Sequence, residues 1–309
     1  MITIENLTIK YEDLVAVRSL NLQIDSGWVF GLIGPNGAGK TSVIRCLAGL
    51  LVADEGRCTV DGVAVGENPV AVRRRLGYMP DFFGVYDNLR VCEYLEFFGQ
   101  LYELGPARLR RRTDEVLELT DLTVKRDALV GGLSRGMKQR LCLARAMLHE
   151  PGTLLLDEPA SGVDPGGRYE LRQIIRRLGE AGKTVLVSSH ILPELADICD
   201  SIGIMESGRL LASGPLAEVS AALGSRNTLT LRILDNRAAD APAFLAGMEA
   251  AGDVQVRGDE VEMQLPDNGE AVAEVLTRLV TGGLRIAHVH QEENELERLY
   301  LRLTHGELA

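Results

Sequence analysis

The chain has 309 residues, 46% of them hydrophobic and 25% charged, which is enough for one large domain with a proper core and a smaller one after it. A formal net charge of −11 argues against a sequence-independent nucleic-acid binder, which needs a basic footprint, so no nucleic acid is expected as a partner. Cys46, Cys58, Cys92, Cys142 and Cys199 lie far apart with no CxxC, a pattern that fits unpaired thiols in a reducing cytosol. No basic-then-apolar leader opens the sequence, and no apolar run approaches the ~20 residues needed to cross a bilayer. The chain is therefore not expected to form a pore by itself.

Residues 2–24 alternate as strands do, with Ile2/Ile4 and Leu20/Leu22/Ile24 as matched positions. Val29 to Ile33 is a continuous apolar run before a glycine loop, the mark of a buried strand, and a helix is expected after Thr41 through Leu51. Asp61-Gly62 between two short β-like runs predicts a hairpin. Residues 87–128 read as mainly helical. Leu171, Ile174, Ile175 and Leu178 fall at helical spacing, Gly182 stops that helix, and Thr184 to Val187 is a further buried strand. Strand–helix–strand alternation of this kind predicts a mainly parallel sheet covered by helices, with an antiparallel β part at the N-terminus and a helical subdomain. The first domain is assigned to residues 1–220.

A second domain, residues 225–309, reads strand (228–234), helix (242–251), strand (253–257), strand (260–265), helix (268–281), strand (284–290). That order matches a small ferredoxin-like α+β domain. A last helix is expected with Leu296, Leu299, Tyr300 and Leu303 on one face. The clusters Arg73-Arg74-Arg75 and Arg110-Arg111-Arg112 read as solvated helix faces. His288 and His290 share a strand face with Glu292 nearby, but no third ligand has convincing metal-site spacing.

Four motifs in the first domain carry chemistry. Gly34-Pro35-Asn36-Gly37-Ala38-Gly39-Lys40-Thr41 fits GxxxxGK[ST] between a strand and a helix, with Ser42 next in the helix. A triphosphate concentrates negative charge, so backbone N–H groups must turn inward, which needs glycines, and the helix N-terminus adds positive potential. Lys40 would reach the β- and γ-phosphates and Thr41 would hold Mg²⁺. Leu154-Leu155-Leu156-Asp157-Glu158 is a buried strand ending in two acids at the ligand edge of the sheet. Asp157 would bind Mg²⁺ through water and Glu158 would polarise the attacking water. His190 closes the strand Val185 to Ser189 at the same edge, positioned for the γ-phosphate and that water. In Leu133-Ser134-Arg135-Gly136-Met137, Ser134 is a natural N-cap for a helix running through Leu148, whose free N–H groups form an anion site.

In this order the motifs resemble the ATP-binding subunit of an ABC transporter, over roughly residues 1–220. The resemblance implies ATP and Mg²⁺ as cofactors, a membrane-spanning permease as partner, and a second ATP-binding subunit, identical or not, with two ATP molecules sandwiched between them. It implies a place on the inner face of the cell membrane. Ser134 and Gly136 would contact the γ-phosphate bound by the other subunit, Tyr11 would stack on adenine, and Asp164 in Ser161-Gly162-Val163-Asp164 would be the acid of the loop crossing between subunits. The aromatic-rich segment Phe82 to Tyr86 and Glu93 to Phe98 is expected either to pack the core of the helical subdomain or, by the resemblance, to receive a short permease helix on one or more of Phe82, Phe83 and Tyr86. Two positions depart from the family pattern. Asp81 stands where the family has Gln in the loop that senses Mg²⁺ and the permease. Arg135 replaces the first glycine of the signature pair, and its side chain is expected either to add positive charge near phosphate or to face solvent. The single ATPase unit and the closing Leu296-to-Thr304 stretch resemble exporter subunits. The rivals are a soluble ATPase of the same superfamily acting on ribosomes or DNA, a binding-only regulator, and a small-molecule kinase. One unfused unit without a heptad array, an acidic charge, and the presence of Lys40, Asp157, Glu158, His190 and Ser134 weigh against them.

Overall fold

The computed structural model describes residues 1–292 apart from residues 83, 193, 194, 196, 217, 220–225, 249, 250, 253, 267 and 268. The expected helix through Leu296, Leu299, Tyr300 and Leu303, and Phe83, lie outside the described residues. The chain divides into two compact units, Met1–Leu216 and Ala217–Ala309.

The first unit begins with an antiparallel sheet. Its strands are β1 (Ile2–Tyr11), β2 (Leu14–Ile24), β4 (Glu55–Val60) and β5 (Val63–Ala64), in the order β2-β1-β4-β5. Ile2 pairs with Ile24 and Ile4 with Leu22, so the matched apolar positions share a buried face. The Asp61-Gly62 hairpin forms as expected between β4 and β5.

The second sheet holds β3 (Val29–Ile33), β6 (Leu76–Met79), β7 (Thr153–Leu156), β8 (Thr184–Ser189), β9 (Ser201–Glu206) and β10 (Arg209–Pro215), in the order β10-β9-β3-β8-β7-β6. All neighbouring pairs are parallel except β10 on β9. Strands β3, β7 and β8 are buried along their whole length, which is why they read as continuous apolar runs. The register Ile33↔Ser189, Leu156↔Val187 and Met79↔Leu156 brings the C-terminal ends of β3, β6, β7 and β8 to one edge.

The helices are α1 (Lys40–Leu47), α2 (Pro69–Arg75), α3 (Val91–Leu101), α4 (Pro106–Leu119), α5 (Arg135–Met147) and α6 (Pro165–Glu180). Helix α1 is shorter than expected. The chain leaves it at Ala48 and turns at Gly49 (φ +66°), leaving Leu50 and Val52 exposed beyond the helix. The arginine clusters are less idle than a solvated face. Arg112 is largely buried and donates to the Met147 and Leu148 carbonyls, capping the C-terminus of α5. Arg73 and Arg75 are exposed yet donate to the Gly49 and Asp61 carbonyls.

The second unit contains β11 (Arg226–Ile233), α7 (Ala241–Leu245), β12 (Gln255–Arg257), β13 (Glu260–Pro266), α8 (Gly269–Thr281) and β14 (Ile286–Glu292). Its antiparallel sheet has the order β12-β13-β11-β14, so the four strands run fourth-first-third-second across it, as a ferredoxin-like sheet does. Leu229, Leu231, Ile233, Val261, Met263 and Leu265 form one buried face, packed with Ala271, Val275 and Leu279 of α8. Helix α7 is much shorter than the expected 242–251, because it ends at Leu245 and Gly247 turns the chain with φ +79°. His288 and His290 stack at 6.3 Å on the exposed face of β14, and among the described residues no cluster of three metal-ligating side chains forms.

Candidate active site

The loop between β3 and α1 is a backbone cradle, and two of its glycines are fixed by sterics. A Cβ on Gly34 would meet the Met205 carbonyl oxygen at 2.3 Å, and one on Gly39 (φ +101°) would meet the Ala16 oxygen at 2.4 Å. Only glycine fits between those walls. Gly37 (φ +83°) has nothing within 4 Å on its Cβ side, Asn36 is exposed, and Pro35 accepts a bond from the Ala38 N–H. The cradle is thus closed behind and open in front.

Lys40 opens α1 and is 5% exposed. Its Nζ donates to the carbonyls of Gly34 (2.6 Å) and Pro35 (3.1 Å) and lies 3.3 Å from Glu158 Oε1. Burial of a cation without partners is costly, and here two carbonyls and a carboxylate share the compensation.

The two acids follow β7. Asp157 is 1% exposed; its Oδ1 accepts from Thr41 Oγ1 (3.1 Å) and from Ser188 Oγ (2.8 Å), whereas Oδ2 is buried with no partner. Burial raises its pKa above the ordinary carboxylate value, and the negative charges of Asp81 and Glu158 add to the rise, against those two hydrogen bonds. A buried, unsatisfied carboxylate oxygen beside a threonine hydroxyl is the donor set of a divalent cation that prefers oxygen ligands. Magnesium chemically fits these residues.

Glu158 sits in the left-handed region at φ +46°, unusual for a side-chain-bearing residue and a form of strain that collects at functional sites. Its N–H donates to Ser188 Oγ (2.9 Å), and its Oε2 accepts from His190 Nδ1 (2.8 Å). One carboxylate therefore bridges the buried lysine and the half-exposed histidine. Ser188 holds both acids at once, accepting from one residue's backbone and donating to the other's side chain. Its role was missed in the sequence; the available signal was a hydroxyl pair, Ser188-Ser189, ending an apolar strand just before His190.

Tyr11, at the end of β1, lies over α1 with its hydroxyl 3.3 Å from Ser42 Oγ. Asp81 is exposed just past β6, at the same sheet edge as Asp157. Ser134 caps α5 by accepting from the Met137 N–H (3.3 Å), and Gly136 follows in the first turn. Asp164 caps α6, accepting from the Gly167 N–H. The structure thus brings Lys40, Thr41, Asp157, Glu158 and His190 into one bonded cluster. Ser134, Gly136 and Asp164 stand at other helix starts and make none of those bonds. Arg135 is exposed, in line with the solvent-facing expectation, and its Nη2 donates to the Ser161 carbonyl at 3.1 Å. The Ser161-Gly162 turn offers that carbonyl, and glycine has no side chain to block the approach of the guanidinium.

The aromatic segment divides. Tyr94 is fully buried, and Phe98 packs on it at 4.9 Å; Tyr86 is half-exposed and lies 5.7 Å edge-on from Phe97; Phe82 is 90% exposed.

A parallel sheet whose strand ends carry a phosphate cradle, a buried lysine, a magnesium-compatible aspartate and a glutamate held between lysine and histidine defines a nucleotide-hydrolysing phosphate-loop protein. Residues 17–161 match the ABC transporter family. The chain is 31% identical, over 98% of its length and 98% of the relative's, to a linearmycin resistance ATP-binding protein of Bacillus subtilis. It is 36% identical to a daunorubicin resistance ATP-binding protein of Streptomyces coeruleorubidus, over 98% of this chain and 95% of that one. A Nod factor export ATP-binding protein of Ralstonia nicotianae is 30% identical over 100% of this chain and 95% of its own. Among solved structures, an ATP-binding subunit of an ABC transporter superposes with a TM-score of 0.66 at 29% identity, covering 72% of this chain and 93% of that one. A dimeric bacterial ABC transporter cassette gives 0.65 at 25% identity, covering 70% and 99%. The chain belongs to the ATP-binding subunits of ABC transporters, and it is an ATPase that binds and hydrolyses ATP. Such subunits work with a membrane permease and as dimers; among the described residues no helix is long and apolar enough to cross a membrane itself.

Proposed function

We propose that this chain powers an exporter whose permease is a separate protein, acting from the cytoplasmic face of the membrane. The observation that carries the reading is the Glu158 carboxylate, with Lys40 on one oxygen and His190 on the other. ATP lies with its phosphates in the loop Gly34 to Thr41 and Ser42, and its base against Tyr11. Thr41 and Asp157, with Asp81 nearby, would hold Mg²⁺, which would supply positive charge to screen the phosphates. Glu158 accepts a hydrogen bond from the attacking water and aims its oxygen at the γ-phosphorus, and His190 fixes the orientation of that carboxylate. Lys40 follows the charge on the γ-phosphoryl oxygens.

Ser134, Gly136 and Asp164 make none of the cluster's bonds, which supports their serving the nucleotide of a second subunit. Two chains then close over two ATP molecules, hydrolysis releases them, and the permease follows. The exposed rings of Phe82 and Tyr86, four residues apart in the segment after β6, support a docking place for a permease segment, because aromatic side chains are enriched at partner sites. The relatives' names, two for drug resistance and one for Nod factor export, support the outward direction. The second unit, with its ferredoxin-like sheet, serves to brace the dimer or regulate it.

The test is the ATPase rate per subunit as protein is diluted, together with a tagged pull-down from mildly solubilised membranes. The rate per subunit is expected to fall as the dimer dissociates, and a multi-span protein is expected in the pull-down. Constant specific activity down to a proven monomer, or recovery of ribosomal or DNA-bound proteins in place of a membrane protein, would sink the reading.

A further inference from the structure

Arg135 is the first residue of α5, just inside the Ser134 cap, and its guanidinium turns back onto another segment of the same chain. Its Nη2 donates to the Ser161 carbonyl at 3.1 Å. An ideal Cβ on Gly162 would lie 2.5 Å from Arg135 Cζ, 2.6 Å from Nη2 and 2.8 Å from Nε. The guanidinium therefore fills the space that a side chain at residue 162 would occupy, and Gly162 holds φ +68° beneath it. One turn further along α5, the buried Gln139 donates its Nε2 to the same Ser161 carbonyl at 2.9 Å. Gly136, between them, faces Val163, whose Cγ1 would lie 3.3 Å from an added Cβ. The first turn of α5 is thus seated on residues 161–163 through two donors to one oxygen and two close approaches.

The segment it seats is continuous with the catalytic carboxylate. The Ser161 N–H donates to the Glu158 carbonyl at 3.0 Å, closing the turn in which Glu158 holds its left-handed conformation. The N–H side of Ser161 braces Glu158 and the C=O side is gripped by α5. A carbonyl gripped by two donors, one of them ionised and therefore the stronger, has little freedom to rotate its peptide plane. That peptide unit ends at the Ser161 Cα, and the unit on the other side of the same Cα, shared with Ala160, carries the N–H that holds the Glu158 carbonyl.

We infer that Arg135 is a positioning residue for hydrolysis, fixing the Glu158–Gly162 turn through the Ser161 carbonyl and so setting where the Glu158 carboxylate stands. The signature segment that opens α5 and the acid that works on the chain's own nucleotide then move as one piece. A displacement of the α5 N-terminus is felt at Glu158 within the same subunit, by way of the two peptide groups that meet at Ser161. The inference rests on the reading of Glu158 as the residue that acts on water. The long, charged side chain matters here because it reaches across a glycine that offers no side chain of its own.

The experiment is steady-state ATP hydrolysis by the full chain carrying Arg135→Ala, Arg135→Lys, Gly162→Ala, or Arg135→Ala with Gly162→Ala. Arg135→Ala is expected to lower kcat about 3- to 10-fold with KM within about two-fold, the pattern of a group that acts on the chemical step through another residue. Arg135→Lys, which keeps a cationic donor for the Ser161 carbonyl, is expected to recover at least about half of the wild-type kcat. Gly162→Ala displaces the guanidinium, so the double variant should be no slower than the slower single variant within about two-fold. A raised KM at constant kcat, or losses that multiply in the double variant, would overturn the inference. Glu158→Gln run alongside separates the two levels, with an expected loss of about 10²- to 10⁴-fold. Full activity in Glu158→Gln would overturn the reading of Glu158 itself. A dead Glu158→Gln beside an Arg135→Ala at wild-type kcat would overturn the Arg135 inference alone.

Discussion

The two units handle polar groups in opposite ways. In the first, Lys40, Asp157, Gln139, Ser188 and several threonines are buried; Asp157 Oδ2, Gln139 Oε1, Thr113 Oγ1 and His149 Nδ1 have no hydrogen-bond partner, and Glu158 Oε1 has only the Lys40 ammonium at 3.3 Å. In the second, Thr228 is the one buried polar side chain among the described residues, and the rest of the interior is aliphatic. A folded chain keeps unsatisfied buried polar atoms where chemistry needs them, since each costs stability that an apolar side chain would not. The first unit carries a buried polar load, the charged part of it at the sheet edge of the candidate site, and the second is a packed two-layer scaffold.

The sharpest test of that contrast is Asp157→Asn. Hydrolysis is expected to fall by about 100-fold or more if the proposed role holds, since the carboxylate would then carry the charge that holds the metal beside the phosphates. The nucleotide-free protein is expected to melt at a higher temperature. The sign follows from the raised pKa: the folded state holds this proton more tightly than the unfolded one, so ionisation at neutral pH subtracts stability. Asparagine keeps an oxygen for Thr41 and Ser188 and removes the charge. A calorimetric scan showing a lower melting temperature would show that Asp157 stabilises the fold, and the contrast would lose its basis.

Leu231→Ala probes the other side. Removing a fully buried leucine from the centre of the second sheet should cost that unit roughly 2–5 kcal/mol. The KM for ATP should stay within about two-fold, because no part of the cluster lies in that unit. Magnesium and ATP should raise the melting of the first unit only, by mass action on a folded binding site. Chemical denaturation followed with and without nucleotide would separate the two.

A third outcome concerns pH. His149 stacks on Tyr102 at 3.8 Å, donates from Nε2 to the Leu76 carbonyl, and has a pKa pushed down to about 4 by burial. The unfolded chain takes up that proton first, so the stability contribution is full above about 6.5 and is lost as pH falls toward 4. His149→Phe should flatten the melting temperature of the first unit against pH over that range, and an unchanged slope would assign the acid sensitivity to other groups.

The smallest effect is expected at Asp81. This residue is exposed and stands outside the bonded cluster, so Asp81→Gln should retain at least about half of the ATPase rate. Near-complete loss would give the carboxylate a specific part in metal binding or in the response to the permease.

Most of the first unit was legible because its signals are local. Fully buried parallel strands read as unbroken apolar runs, and the loop, the paired acids and His190 each follow such a run directly. The ferredoxin-like order was legible for the same reason, through alternation and Gly258-Asp259 between β12 and β13. Helix ends were not. The length of α1 depends on where Gly49 turns, and that of α7 on Gly247, which apolar spacing does not register. Long-range bonds were also hidden. Arg112 finds carbonyls 35 and 36 residues away, and Arg135 finds one 26 residues away. Ser188 was hidden for another reason: a serine in a strand has no distinctive spacing, and its two bonds exist only once β7 and β8 lie side by side.

Gly34 and Gly39 face backbone oxygens of the protein itself, so they are demanded by the fold whether or not a nucleotide ever arrives. Lys40 and Glu158 carry no such demand. A descendant that abandoned hydrolysis would be free to lose the lysine and the glutamate while keeping both glycines as fossils of its ancestry. In any genome survey, the glycines of this loop therefore record descent, and the charged residues record employment.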